Sequence, residues 1–289
     1  MKDLLTINIF SNSCAKMNST DMIAMTYDSM ESCFDIPKDV TLRVFIDPNP
    51  AVNKFDQYRD NVNEWLTGKG MENSSVIQTC GLVDSYIKSI ELADTPFCLQ
   101  FEHDWLTISE HIPHSLEEIT ETMEVGGIDY IKFNKRRNAA SGWERGMKTV
   151  VINGMELCEN AWRSNLPHII KTHPYREHIK FLDPDSRGCS GLEKTLVKCV
   201  GMAHSYGKLG HPMTESHIDG RTDFPAYLKG ELTYEELIEG YVWGTENSLD
   251  KEVQAKGVEK VFGDAEFIWD TPVKDHSKWN NISFRPTEK

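Results

Sequence analysis

The 289-residue sequence lacks any run of about 18 apolar residues, the length that a membrane-crossing helix needs. Its first apolar-rich stretch, Leu4 to Phe10, stops at Ser11-Asn12-Ser13 and is too short for a secretory leader, which makes the cytoplasm the expected compartment. A glycine-rich phosphate loop and a Gly-x-Gly-x-x-Gly fingerprint are both missing, which argues against ATPase and dehydrogenase chemistry. The seven cysteines (Cys14, Cys33, Cys80, Cys98, Cys158, Cys189 and Cys199) are odd in number and show no paired spacing. They therefore suit neither a zinc ribbon nor a disulfide framework, and read as reduced, mostly buried thiols. Positive charge is also scarce: 31 Lys and Arg stand against 45 Asp and Glu, a formal net charge of −14. Such a chain repels phosphate backbones on average, so contact with nucleic acid would need a local basic patch. No internal repeat or low-complexity linker divides the chain, and its length fits one domain over residues 1–289.

What is present is an alternation of strand-like and helix-like segments. Leu4 to Phe10 reads as a buried strand, and Ser19 as the cap of a helix with Ile23, Tyr27, Met30 and Phe34 on one face. Leu42 to Ile46 is a second strand ending at Asp47-Pro48. Phe55, Tyr58, Val62 and Trp65 mark a second helix, Ser75 to Gln78 a weak strand, and Val83, Tyr86, Ile87 and Ile90 a third helix. Phe97 to Phe101 and Tyr130 to Phe133 are further strands, separated by a helix along Leu116, Ile119 and Met123 that opens with the capping box Ser115-Leu-Glu-Glu118. Residues 134–190 are less regular, with Pro167 and Pro174 interrupting any helix. Ser190-Gly-Leu-Glu193 and Thr233-Tyr-Glu-Glu236 are two more capping boxes. The alternation predicts an α/β fold with a mostly parallel central sheet flanked by helices.

The most informative segment is Thr95-Pro-Phe-Cys-Leu-Gln-Phe-Glu-His-Asp-Trp105, an apolar strand running directly into acids. Open parallel sheets bind ligands beyond the carboxyl ends of their strands, where these acids would sit. Strand alternation places Glu102 and Asp104 on one side and His103 on the other. Two converging carboxylates suit Mg²⁺ or Mn²⁺, which in turn binds a diphosphate.

This segment resembles the acid-any-acid motif of GT-A glycosyltransferases, with Glu102 in place of the more usual first Asp. The resemblance spans roughly residues 4–221 at the level of pattern, and implies a nucleoside diphosphate sugar as donor, expected to be a UDP-sugar. It also implies a donor-binding half over 1–110, an acceptor half over 111–225 and a C-terminal extension over 226–289. Ser11, Asn12, Asp47, Glu102 and Trp105 would line the donor; Glu102, Asp104 and His217 would hold the metal. His217, in the segment Tyr206 to Arg221, resembles the C-terminal histidine that such enzymes often bring to the cation. Glu193 would be the base that takes the acceptor's proton in an inverting transfer, although its capping box with Ser190 is a sufficient structural reason for it. Trp162, Asn165 and His168 resemble an acceptor-side motif. The hydroxyl acceptor is either a glycan or, in a resemblance to phage enzymes that decorate hydroxymethylated DNA, a flipped-out base. That second reading implies the host cytoplasm and a patch of Lys132, Lys135, Arg136, Arg137, Arg145 and Lys148. A nucleotidyltransferase and a non-catalytic carbohydrate-binding protein share the sheet and remain alternatives.

Overall fold

A computed structural model describes residues 1–12, 19–48, 54–135, 138, 148–160, 163–180, 182–183, 203–218 and 223–237. The chain begins with β1 (Leu5–Asn12), α1 (Asp21–Phe34), β2 (Thr41–Asp47), α2 (Phe55–Gly68), β3 (Asn73–Gln78), α3 (Leu82–Glu91) and β4 (Phe97–Glu102). These four strands lie parallel in the order β3-β2-β1-β4. Next come β5 (Trp105–Thr107), a 3-10 turn (Ser109–His111), α4 (Leu116–Gly126) and β6 (Tyr130–Lys132). The later elements are β7 (Lys148–Ile152), β8 (Met155–Asn160), β9 (His168–Lys171), α5 (Thr172–Ile179), β10 (Ala203–Tyr206), β11 (Glu215–His217) and α6 (Asp223–Leu228). The complete sheet runs β3-β2-β1-β4-β9-β6-β10-β8-β7, and a separate pair joins β11 to β5.

The α/β class and flanking helices agree with the sequence reading. The sheet is mixed, because β9 pairs antiparallel with both β4 and β6, and β8 pairs antiparallel with both β10 and β7. Three strands and α5 therefore occupy residues that read as irregular. Their strands are short, and β7 is largely exposed, so the apolar periodicity that reveals a strand is weak there. Pro174 does not interrupt α5 but sits in its first turn, where backbone N–H groups have no helical acceptor to lose. Ser19 is not the cap of α1: Thr20 holds that position, with no side-chain hydrogen bond. The box at Ser115 forms as predicted, with Glu118 N donating to Ser115 Oγ at 3.2 Å and Ser115 N donating to Glu118 Oε2 at 2.8 Å. The reciprocal bonds of Thr233 and Glu236 form as well, at 3.1 and 2.8 Å. The box at Ser190 lies outside the described residues.

The two faces of the sheet differ in chemistry. Ile7, Ile9, Leu42, Val44, Leu99, Phe101, Ile131 and Ile169 point to one face and join α1, α2 and α4 in an apolar core. On the other face, Arg43, Asn8, Gln100, His168, Lys132 and Ser205 are successive register partners across six strands. Paired residues share a face, so these side chains form one polar row beneath α3 and α5. Gln100 Nε2 donates to Ser89 Oγ at 3.2 Å, and on the same face the thiol of Cys98 meets the Thr172 hydroxyl at 3.3 Å, which ties this face to both helices. Among the described residues, no helix is long and apolar enough to cross a membrane.

Candidate active site

The parallel strands β1 and β2 end level at the register partners Asn12 and Asp47, and β4 ends on the same edge at Glu102, opposite Phe10 and two residues short of them. Beyond Glu102 the chain turns at His103-Asp104 before β5 begins. Three contacts fix this turn. His103 N donates to Phe10 O at 2.9 Å, its Nδ1 lies 3.2 Å from the same oxygen, and Thr26 Oγ1 donates to His103 O at 2.6 Å. The turn carries the chain from the large sheet into the small one between the two acids. Glu102 stays at the end of the large sheet, where its Oε1 accepts from Asn165 Nδ2 at 2.8 Å. Asp104 opens the small sheet and meets a different partner.

That partner is His217. Antiparallel pairing of β5 with β11 sets His217 opposite Trp105, with ring centroids 5.0 Å apart, and Ile218 N donates to Asp104 O at 2.7 Å. His217 Nε2 thereby comes within 3.2 Å of Asp104 Oδ2. Burial alone would raise the Asp104 carboxyl, but the His217 hydrogen bond and the charges of His103 and His217 outweigh it and hold the group below its ordinary range. Its second oxygen, Oδ1, is buried without a hydrogen-bond partner. Two neighbouring ligands on an octahedral cation, each about 2.1 Å from it, are separated by about 3 Å, close to the spacing seen here. The pair therefore fits as two protein ligands of a divalent cation. Among the described residues no three His, Cys, Asp or Glu side chains gather into a metal set, and two of the expected ligands, Asp104 and His217, meet. A cation held by two side chains relies on water and phosphate oxygens for its other positions, which is usual for Mg²⁺.

No protein-family model matches the chain, and no curated protein sequence does. Among solved structures, residues 1–349 of S. aureus TarS align over 88% of this chain and 71% of that one, at 12% identity and a TM-score of 0.48. The mannosyltransferase PcManGT from Pyrobaculum calidifontis, in complex with GDP-Man and Mn²⁺, aligns over 75% of this chain and 58% of that one, at 12% identity and 0.47. The inositol-1-phosphate CTP transferase from T. maritima aligns over 85% and 99%, at 12% identity and 0.45. Similarities this distant transfer neither a substrate nor a residue's role.

The remaining predicted residues divide by burial. Asn12 is exposed and Asp47 half-buried at the open strand ends. Ser11 is buried, its hydroxyl 2.6 Å from that of Tyr58 on α2, and Trp105 is buried in the apolar core. Asn165 reaches the strand ends through its bond to Glu102. His168 lies in the polar row, fully buried among the rings of Tyr86, Tyr130 and Tyr175. Its Nδ1 faces Leu166 O at 2.6 Å, and burial pushes its pKa down to about 4. Trp162 and Glu193 lie outside the described residues.

The basic patch expected for a DNA acceptor is described only in part. Lys132 is buried in β6, Lys135 is half-buried, and the exposed Lys148 pairs with Glu159 at 2.8 Å, while Arg136, Arg137 and Arg145 lie outside the described residues. An open cleft of about 360 Å³ lined by Thr95, Pro96, Thr172 and Arg176 sits at the amino end of β4, away from the acids. Two buried groups had no sequence signal. Glu215 is enclosed in β11 with Thr107 Oγ1 donating to it at 3.4 Å, and burial holds its carboxyl well above the usual range. Arg163 is buried just ahead of Asn165, and only the antiparallel insertion of β9 shows how close it lies to the strand ends.

Proposed function

We propose that the chain transfers a sugar from a nucleoside diphosphate sugar, with a UDP-sugar the first choice, to a hydroxyl acceptor. Mn²⁺ or Mg²⁺ would be bound by Asp104 and His217. The observation that carries this reading is the Asp104–His217 pair at 3.2 Å, at the carboxyl edge of a parallel sheet, with one carboxylate oxygen buried and unpartnered. When bound, the cation supplies positive charge to the leaving diphosphate. Asn12 and Asp47 flank the donor's nucleoside, and Asn165 orients Glu102 toward the donor. Glu193 is assigned from the sequence as the base that accepts the proton of the attacking hydroxyl, with inversion at the anomeric carbon. Trp162, Asn165 and His168 are assigned to the acceptor side. Glycan acceptors are preferred, because Lys132 is buried and a net charge of −14 repels a phosphate backbone on average.

Calorimetric titration of a panel of nucleoside diphosphate sugars tests the reading. Binding is expected only with Mn²⁺ or Mg²⁺, and Asp104→Ala is expected to abolish it without loss of the far-ultraviolet dichroism. Equal affinity in chelator would remove the metal site. Release of pyrophosphate from a nucleoside triphosphate and a sugar phosphate, with no glycosylated product from any nucleoside diphosphate sugar, would assign the chain to nucleotidyl transfer.

A further inference from the structure

Arg163 is 3% exposed, and its Nε and Nη1 have no hydrogen-bond partner. Its guanidinium carbon lies 5.6 Å from the centroid of the Tyr130 ring. A ring face offsets only part of what a buried cation loses on leaving water, and a folded chain ordinarily supplies a carboxylate there. Two further polar groups around the same tyrosine are likewise unmatched. Ser164 is tied to Tyr130 through its backbone, its O accepting from the phenol at 2.7 Å and its N donating back at 3.1 Å, while its own Oγ is buried without a partner. The His168 ring sits 4.8 Å from the Tyr130 centroid, and its Nε2 is also buried without a partner. Because Nδ1 is committed as donor to Leu166 O, the neutral ring presents Nε2 as an acceptor.

We propose that Arg163, Ser164 and His168 form an oxyanion subsite that holds a phosphate or carboxylate of the acceptor, with an adjacent hydroxyl of the same ligand donating to His168 Nε2. The planar guanidinium suits either anion, and Ser164 Oγ adds a hydrogen bond to it. The position fits an acceptor: residues 163–168 lead into β9 beside β4, and Asn165, between Ser164 and His168, donates to Glu102 at the strand ends. The unmatched groups are thus explained as a site whose partner arrives with the substrate. The assignment to an acceptor rests on the transferase reading, whereas the anion site itself does not.

The test uses the full chain in chelator, so that Asp104 and His217 hold no cation, and titrates inorganic phosphate and acetate separately by calorimetry. Saturable binding of either anion is expected, and the better of the two identifies the chemistry. Arg163→Gln should weaken it by about tenfold or more. Arg163→Lys, which keeps the charge but not the fork, should give a smaller loss and serves if the Gln variant does not fold. At a hundredfold excess over Kd the anion should raise the melting temperature of the wild type by roughly 5–10 °C and leave Arg163→Gln nearly unmoved. Affinity for a UDP-sugar with Mn²⁺ should change by less than about twofold in Arg163→Gln. Failure of both anions to saturate, or equal binding by Arg163→Gln, would overturn the subsite. Displacement of the anion by UDP, with parallel loss of donor affinity in Arg163→Gln, would reassign the pocket to the donor and overturn the proposal. Anion binding without any nucleotide-sugar binding would overturn the acceptor assignment and trace the failure to the transferase reading.

Discussion

At the scale of single residues, burial decides which titrating groups matter. His168 has its pKa pushed down to about 4, against about 6.5 for an unfolded histidine. As pH falls from about 6.5 toward 4 the unfolded chain takes up a proton that the folded chain refuses, so stability is full near pH 7 and declines through that window. At pH 5 the loss from this one group is about 2 kcal/mol. Urea unfolding at pH 7 and pH 5 checks this: the wild type should lose about that much more stability than His168→Gln. An identical loss in both would place the pH sensitivity on other groups, such as the buried His204 and the half-buried His211, which desolvation also pushes down. Asp104 shows the opposite balance. It is half-buried, yet its hydrogen bond to His217 and the nearby histidine charges hold its carboxyl below the ordinary range.

At the scale of elements, local signals hold where a motif closes on itself. The Ser115–Glu118 box needs only one turn of backbone, and both of its bonds form. Ser115→Ala should therefore destabilise the protein by about 1 kcal/mol. Donor affinity should not change, because α4 packs on the apolar face and meets none of the strand ends. Paired measurements of urea midpoint and donor Kd check both halves, and a changed Kd would mean that α4 reaches the site. Signals fail where an element takes its stability from a partner. β9 has only four residues, and what makes it a strand is its place between β4 and β6. β11 has three and exists by pairing with β5. That pairing is also what carries His217 to Asp104.

At the scale of the molecule, charge and face chemistry set what the protein meets and how it is held. A net charge of −14, with Lys132 buried and Lys148 paired, leaves little to displace counterions from a polyanion. Transfer to a small acceptor should then change little between 50 and 200 mM salt, whereas an enzyme making six to ten phosphate contacts would lose about 10³–10⁵ in affinity. A salt series with glycan acceptors and hydroxymethylated DNA decides it, and a steep fall with DNA would restore the nucleic-acid acceptor. The unequal faces of the sheet serve a related division. The apolar face anchors the first half of the fold on α1, α2 and α4, while the polar row runs beneath α3 and α5.

The sequence by itself determined the class of the fold, the first four strands and their helices, and two capping boxes. Each of these is dictated by apolar spacing or by side chains bonding to backbone within one turn. It also supplied Asp104 and His217 as candidates through a resemblance of pattern. Only the tertiary structure decided that the two meet, that Glu102 bonds to Asn165, and that Lys132 is buried. Those outcomes depend on a two-residue turn at His103-Asp104, on β9 inserting against the direction of its neighbours, and on strands too short to declare themselves. Such contacts join residues far apart in the chain, and their free energy arises from pairing and burial that no local window of sequence contains.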